Sequence, residues 1–480
     1  MHTVHRQRCR WCASGGSGMS PAVVILAAGA GTRMQSRLAK SLHPVCGRTM
    51  LAWVLAAAEP LCQGRPVVVT APDADDLRAA CGDAADTCVQ PAALGTGDAV
   101  RHARALVSAD TDATLVLCGD MPLIRSSLLH RLVDRQRSGS GRGMAFASVE
   151  RAEAQGFGRI LRDSAGVVQE VVEERDCTPA QLEVTELNAG VYAFPTQWLF
   201  ARADDLPVQA NGERYLTDLV GTAVRDGLSV QAVSADPDDV WGVNDRVQLA
   251  RVAHLMRQRI NRGHMHRGVT LIDPDHTYID ADVRIGRDTL ILPGTWLTGN
   301  TDIGEGCTIG PHTELDDTRV GEGSEVRHSV VEGADIGREC MIGPFARIRR
   351  GTRTGSHLHM GSFGEIKNSS LGSDIHMGHF SYVGDSDVGD GVNVGAGTIT
   401  CNFDGQAKHR TVIEDGVFLG SGTTLVAPVR VSRGAMTGAG SVVTRDLPAE
   451  TLAYGVPAKP RRSVGDGPRR QEPNREDSPS

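Results

Sequence analysis

Nowhere in its 480 residues does the chain carry about 18 consecutive apolar residues, which excludes a membrane-spanning helix. No single sign of charge prevails. Lys plus Arg total 50 against 58 Asp plus Glu, a net of −8 with neutral histidines, so the basic domain expected of a nucleic-acid partner is missing. The 11 cysteines are scattered and odd in number, which argues against a disulfide framework. Cys9 and Cys12 form a C-x-x-C, but no second pair stands at zinc spacing, so they read as thiols. The first residues lack the apolar stretch of a secretory signal, and a reducing cytoplasm suits these features. Aromatic residues are only 4%, whereas glycine reaches 56 residues, well above the usual ~7%. A Val/Ile/Leu core with frequent glycine turns suits a repetitive β architecture.

With 40% hydrophobic residues the chain can build cores, and its length predicts two to four domains at about 150 residues each. Residues 1–20 and 465–480 are polar and aperiodic, and are expected to be disordered. Ala22–Ala28 (AVVILAA) reads as a strand buried on both faces. A helix around Met50–Ala58 and further strands at Arg65–Thr70 and Thr114–Leu117 follow, predicting an α/β domain with a mostly parallel sheet over 21–246. Residues 244–263 have helical spacing and predict a linker helix, placed at 247–267.

Beyond it the period changes. Ile279, Ile285, Ile291, Leu297, Ile303, Ile309 and Leu315 stand six apart. After a slip of one, the series resumes at Val320 and Val326, again at Ile336, Ile342 and Ile348, and later at Ile413, Leu419, Leu425 and Val431. Six is no helical period. It fits a solenoid whose hexads each form one flat wall and turn a corner, with the aliphatic side chain inward. Three walls per coil of ~18 residues predict roughly ten coils between Gly268 and Leu447. Cys401–Arg410 interrupts the repeat and predicts a projecting loop.

Leu26–Met34 (LAAGAGTRM) places Gly29 and Gly31 directly after the first strand, where backbone amides can approach a phosphate. A dinucleotide fingerprint would need a third glycine at Met34 and an acid about 20 residues on. Both are missing, and so is a Walker Gly-Lys-Ser/Thr. What remains is a glycine turn flanked by two cations, Arg33 and Lys40, suited to the charge that develops in transfer at a nucleotide phosphate. Asp120, at a strand end, is placed to hold a divalent metal.

LAAGAGTRM with Lys40 resembles the signature of sugar-1-phosphate nucleotidylyltransferases. Joined to a hexapeptide solenoid, the chain resembles the bacterial bifunctional N-acetylglucosamine-1-phosphate uridylyltransferase/glucosamine-1-phosphate acetyltransferase family over roughly residues 20–460. QPAALGTGDAV (Gln90–Val100), LCGDMPLI (Leu117–Ile124), GFGRI (Gly156–Ile160), VVEERD (Val171–Asp176) and GVNDR (Gly242–Arg246) extend the likeness. The resemblance implies a Rossmann-like α/β nucleotidyltransferase domain followed by a left-handed parallel β-helix over 268–464. It implies that Leu26, Ala27, Ala28 and Gly29 line the UTP site and that Gln90, Gly95 and Thr96 read the uracil. Arg33 and Lys40 would meet the triphosphate. Cys118, Gly119 and Asp120 would border it, and Asp120 with Asn244 would hold Mg²⁺. Gly158, Glu173 and Asn188 would contact the sugar of N-acetylglucosamine 1-phosphate. Ala39 and Cys118 depart from the family pattern, which has proline and often an aromatic residue there.

In the solenoid, Arg349 and Lys367 are 18 apart and are expected to stack on adjacent coils, with His379, 12 further on, facing an adjoining wall. Acetyl transfer to an amino sugar needs a base to remove the ammonium proton, and a histidine suits that task. His357, His359, His376 and His409 lie nearby, so chemistry alone does not choose among them; the family context GHFSY points to His379. Glu365 could orient its imidazole or simply pair at the surface. The two cations would grip the phosphate of glucosamine 1-phosphate. The resemblance adds Tyr382 and Asn393 on the sugar side and Ala396, Asn402, Phe403, Ser421 and Ala439 along acetyl-coenzyme A. Phe403 replaces a tyrosine common in the family, and Gly455 an arginine of some relatives, for which Arg445, Arg461 or Arg462 could substitute. A homotrimer is the family's usual assembly. The alternative is a nucleotidyltransferase whose solenoid is a non-catalytic scaffold.

Overall fold

The computed structural model describes residues 20–62, 64–138, 143–151 and 156–466. Residues 1–19, with Cys9 and Cys12, and residues 467–480 lie outside the described residues. Of the expected C-terminal tail, Gly465 belongs to a 3-10 turn, Val464–Asp466. Two compact units divide between Leu255 and Met256, within the helix Arg246–His266.

The first unit is built on one sheet. Its strands are β1 (Ala22–Ala27), β2 (Val67–Thr70), β3 (Asp86–Val89), β4 (Ala113–Cys118), β5 (Gly143–Glu150), β6 (Arg159–Arg162), β7 (Val168–Val172), β8 (Glu186–Pro195) and β9 (Ser229–Ser234). They lie in the order β9-β5-β8-β4-β1-β2-β3, with the β6–β7 hairpin attached to β8. Only β8 runs antiparallel to both of its neighbours in that row. The apolar run of β1 follows from its position. Val23 and Ile25 enter the core on one face and Val24 the core on the other, as a central strand covered on both sides requires. Helix Met50–Ala58 forms as the sequence predicts, capped by the Thr49 hydroxyl, which accepts from the Ala52 amide at 3.1 Å. Strand order reverses at β1, which lies between β2 and β4. In open α/β sheets the crevice beyond the strand ends at such a point is where ligands bind.

The second unit is a left-handed parallel β-helix with three walls of 12, 10 and 9 strands. Every inward position of the hexad series, from Ile279 to Val431, belongs to one buried core. The sequence series lapses between Ile348 and Ile413, yet the core continues through Met360, Ile366, Leu371, Met377, Val383, Val388 and Val394. Two causes hide it. Methionine and, at the Thr354 position, threonine stand in for aliphatics. The step from second to third wall also shortens to five residues, as at Ile366–Leu371 and Val383–Val388. The coil then holds 17 residues, and Glu365 pairs with Tyr382. The projecting loop is present: Cys401 ends a second-wall strand, Thr411 begins a third-wall strand, and Phe403 bridges to Lys408 between them.

Candidate functional site

At the C-terminal ends of β1 and β4 lies a cleft of about 490 Å³. It is lined by Leu26, Ala27, Ala28, Gly29, Lys40, Gln90, Gly95, Thr96, Cys118, Asp120 and Glu173, all anticipated, and by Ser41, Arg175, Glu213 and Tyr215, which were not. Gly29 faces open space, and no atom stands within 4 Å of where its Cβ would be. Gly31 is different: its φ is +59°, and a Cβ there would lie 2.9 Å from the Lys40 Cβ. The second glycine therefore makes room for the lysine. Gly119 joins the two strand ends, its amide donating to the Leu26 carbonyl at 2.9 Å.

The Lys40 ammonium pairs closely with the Asp120 carboxylate and donates to Asn244 Oδ1 at 3.1 Å. The Val243 amide bonds the Asp120 carbonyl at 3.0 Å, which brings the 242–246 segment to the end of β4. Two oxygen donors thus converge on one cation. Burial, with Asp120 beside it, pushes the Cys118 thiol up to about 12, so the sulfur is a neutral wall of the cleft.

Gln90 and Thr96 are engaged in holding the loop. Gln90 Nε2 donates to the Gly95 carbonyl at 3.1 Å and to Asp98 at 2.9 Å, and the Thr96 hydroxyl accepts from the Leu216 amide at 3.1 Å. Burial raises Glu173 above the usual carboxylate range, opposed by the Thr217 hydroxyl donating to it at 2.9 Å. Arg175 stacks 4.8 Å from the Tyr215 ring and pairs with Glu213 at 2.7 Å. Gly158, Asn188 and Arg33 do not line this cleft. Asn188 is buried and donates to the Tyr192 hydroxyl at 2.7 Å, while Arg33 is exposed on the 3-10 turn Thr32–Met34.

In the β-helix, Ile348 pairs with Ile366 and the Arg349 amide bonds the Ile366 carbonyl at 2.9 Å, so Arg349 and Lys367 stack as expected. Of the two readings of Glu365 the structure shows the surface pair, with Arg349 at 3.1 Å. One expectation needs correction. His379 itself does not lie on an adjoining wall. It sits exposed in the corner between the first-wall strand His376–Met377 and the second-wall strand Ser381–Gly384, because the hexad turns there. Tyr382 lies on the second wall and Asn393 on the first, in register with His376.

Sequence reasoning passed over Lys408. The projecting loop lays it against Lys367, and that contact, with Arg349 also near, holds the Lys367 ammonium below the ordinary lysine range. Three cations thus face one another without enough carboxylates, as a phosphate site would have them. Asn402 is buried and bonds Asp385, which also accepts from Asn368. Burial alone would raise Asp385, but these hydrogen bonds and the Lys408 and Lys367 charges bring it below the usual range. Phe403 is exposed on the loop.

Above His379 the same corner repeats as Gly395-Ala396-Gly397, Gly420-Ser421-Gly422 and Gly438-Ala439-Gly440. The coils are joined there by amides: Gly397 to the Phe380 carbonyl at 2.7 Å, Gly422 to Ala396 at 2.7 Å and Gly440 to Ser421 at 2.8 Å. The corner above His379 is thus built of small residues on three successive coils.

A Rossmann-like sheet with a phosphate-sized glycine turn at its switch point, followed by a hexapeptide β-helix with its own cationic corner, defines a two-site transferase. Residues 23–204 match the MobA-like NTP transferase domain family. Over 432 residues the chain is 44% identical to the bifunctional protein GlmU of Heliobacterium modesticaldum, covering 90% of this chain and 94% of that one. It is 46% identical over 449 residues to that of Alkalilimnicola ehrlichii, covering 92% and 95%. The chain belongs to the GlmU family. It is a bifunctional enzyme of UDP-N-acetylglucosamine biosynthesis, a uridylyltransferase and a glucosamine-1-phosphate N-acetyltransferase that uses UTP, sugar phosphates and acetyl-coenzyme A.

Proposed function

We propose that residues 21–246 carry uridylyl transfer and residues 268–464 acetyl transfer, joined by 247–267. In the first reaction an ionised phosphate oxygen of N-acetylglucosamine 1-phosphate attacks the α-phosphorus of UTP. The bond to the β-phosphate oxygen breaks and pyrophosphate leaves, so no general base is needed. Gly29 lets the backbone reach the phosphates, while Lys40 and Arg33 meet the charge on them. Gln90, Gly95 and Thr96 shape the base pocket. Glu173 lines the sugar side, and Gly158 and Asn188 support it from behind, the Asn188 amide donating to the Gly158 carbonyl at 2.9 Å.

Mg²⁺ is the metal we assign to Asp120 and Asn244. The observation that supports it is the convergence of their oxygens on a cation, the Lys40 ammonium. One carboxylate and one amide oxygen suit an ion that takes its remaining ligands from phosphates and water. When bound, it would neutralise charge on the triphosphate, beside the Lys40 ammonium that now pairs with both residues.

In the second reaction His379 takes a proton from the amino group of glucosamine 1-phosphate. The amine attacks the thioester carbonyl, the C–S bond breaks, and coenzyme A leaves as thiolate to be protonated. Arg349, Lys367 and Lys408 hold the sugar phosphate, and Tyr382 and Asn393 flank the sugar. Ala396, Ser421 and Ala439 form the coenzyme track, with Asn402 and Phe403 at its loop side.

A homotrimer and a reducing cytoplasm complete the reading. Phe345, Phe363 and Phe380, exposed by 55%, 66% and 61%, follow one another up the corner that holds His379, with the first two rings stacked at 5.4 Å. Such a patch suits burial by a second copy. None of the nine described cysteines is in a disulfide, which suits the compartment. The three-cation corner beside His379 carries the acetyltransferase assignment. One assay tests the whole: enzyme, glucosamine 1-phosphate, acetyl-coenzyme A, UTP and Mg²⁺ should yield UDP-N-acetylglucosamine. Product only from ready-made N-acetylglucosamine 1-phosphate would reduce the solenoid to a scaffold. EDTA should stop uridylyl transfer and spare acetylation.

A further inference from the structure

Arg151 stands one residue beyond β5, and its amide donates to the Thr185 carbonyl at 3.0 Å. Its guanidinium carbon lies 4.5 Å from the centroid of the Trp241 ring and 6.0 Å from that of the Phe157 ring. One terminal nitrogen, Nη2, donates to the Pro237 carbonyl. The other, Nη1, is buried and meets no hydrogen-bond partner. Burial pushes the guanidinium below the ordinary arginine range, and the Asp238 charge only partly opposes this. A cation left partly dry is costly unless something holds it, and here two ring faces do so.

The rings belong to segments with separate tasks. Trp241 begins the run to Asn244, in which the Val243 amide bonds the Asp120 carbonyl at 3.0 Å and Asn244 meets Lys40. Phe157 precedes Gly158, whose carbonyl accepts from the Asn188 amide at 2.9 Å. The backbone of 156–158 is tied elsewhere: the Phe157 carbonyl accepts from Arg159 at 2.7 Å, and the Gly156 amide donates to Glu174 at 3.0 Å. The Phe157 ring packs against the core of the sheet and faces Arg151.

We infer that Arg151 is a positioning residue for uridylyl transfer: held between Trp241 and Phe157, it fixes the sugar-side segment 156–158 against the segment that carries Asn244. The inference rests on the placement of the sugar side at Glu173 and Gly158. Packing alone does not account for an arginine here. A methionine would fill similar space without taking a charge out of water, whereas a guanidinium attracts two ring faces and bonds the Pro237 carbonyl at once. One side chain thereby couples two loops that share no hydrogen bond through Trp241 or Phe157 with each other.

The test is steady-state uridylyl transfer by Arg151→Met, which keeps the packing and removes the charge. The KM for N-acetylglucosamine 1-phosphate should rise about tenfold, as for loss of a desolvated cation–π contact, while the KM for UTP and the rate of acetyl transfer hold. Arg151→Lys should recover part of the loss. Trp241→Leu should reproduce the rise, and the double variant should go no higher than the worse single one, because both changes open the same clamp. An unchanged KM in Arg151→Met, an equal rise for both substrates, or additive effects in the double variant overturns the inference. Gly158→Ala checks the reading beneath it, since a Cβ there would stand 2.9 Å from Val171 Cγ1 and 3.1 Å from the Val172 carbonyl oxygen. If that variant keeps a wild-type KM for the sugar phosphate, the sugar side lies elsewhere and the inference falls with it.

Discussion

Gly95→Ala should damage the uridylyl site through the backbone alone. Gly95 has φ +94° and ψ 175°, a region nearly reserved for glycine and costing other residues about 1–3 kcal/mol. A Cβ there would also stand 2.5 Å from the Arg214 carbonyl oxygen and 2.8 Å from its nitrogen. That backbone is fixed by two hydrogen bonds, Arg214 N to Leu94 O at 2.7 Å and Gly97 N to Arg214 O at 2.9 Å. Relief means breaking this zipper, an overpacking cost of about 1–3 kcal/mol. Taking ~3 kcal/mol in all, and about 2–4 °C per kcal/mol for a unit of this size, the first unit should melt roughly 6–12 °C lower. Glu213 and Tyr215 retreat with Arg214, so the KM for UTP should rise. Gly212→Ala is the control: its φ is +82° but its Cβ would meet nothing within 4 Å, so only the smaller conformational cost applies. Differential scanning calorimetry with initial rates of UDP-N-acetylglucosamine formation reads both. If Gly95→Ala melts no lower than Gly212→Ala and keeps a wild-type KM, the close approach at Arg214 does not matter.

Lys40→Ala should abolish uridylyl transfer and leave acetyl transfer intact; equal loss of both would contradict independent sites. His379→Ala should lower the kcat of acetyl transfer by about 10²- to 10⁴-fold, the usual range for a general base, and spare uridylyl transfer. Unchanged acetyl transfer would remove its role as base. Glu173→Gln tests the raised carboxyl. A group whose folded pKa lies above its unfolded one loses stabilisation as pH rises through the folded value. The variant should therefore gain melting temperature over wild type at neutral pH and lose that gain near pH ~4. A gain that does not vary with pH would show that burial is not what raises Glu173.

Much of the fold was legible because its rules are local. A hexad needs only an aliphatic residue every sixth position, and Ile279 to Leu315 supply it without error. The run at β1 likewise announces a strand covered on both faces. The legibility failed where five-residue steps and methionines broke the period, between Ile348 and Ile413. In the nucleotide cleft the glycine turn, Lys40 and Asp120 were visible because they follow strand ends. Arg175, Glu213 and Tyr215 were not, since Glu213 and Tyr215 reach the cleft through contacts about 120 residues away, such as Leu216 with Thr96, and Arg175 is held there by Glu213 and Tyr215. Lys408 was missed for a related reason. Only the fold-back of the loop, with Phe403 bridging Lys408, carries it to Lys367.

The uneven spacing of the β-helix core also governs where its chain length can change. From the third wall to the first the step is six residues in every coil from Ile285–Ile291 to Val431–Thr437. The step from the second wall to the third varies between five and six and accepts the whole excursion between Thr400 and Ile413, after which Val388 and Ile413 are again in register. Extra residues near Asp404–Ala407 should therefore leave the solenoid folded, though they would displace Lys408. One extra residue between Gly355 and Leu358 would instead turn the inward side of that strand outward. The edge from the third wall to the first is thus the one whose length is fixed, while the edge after the second wall already carries a loop without any rebuilding of the core.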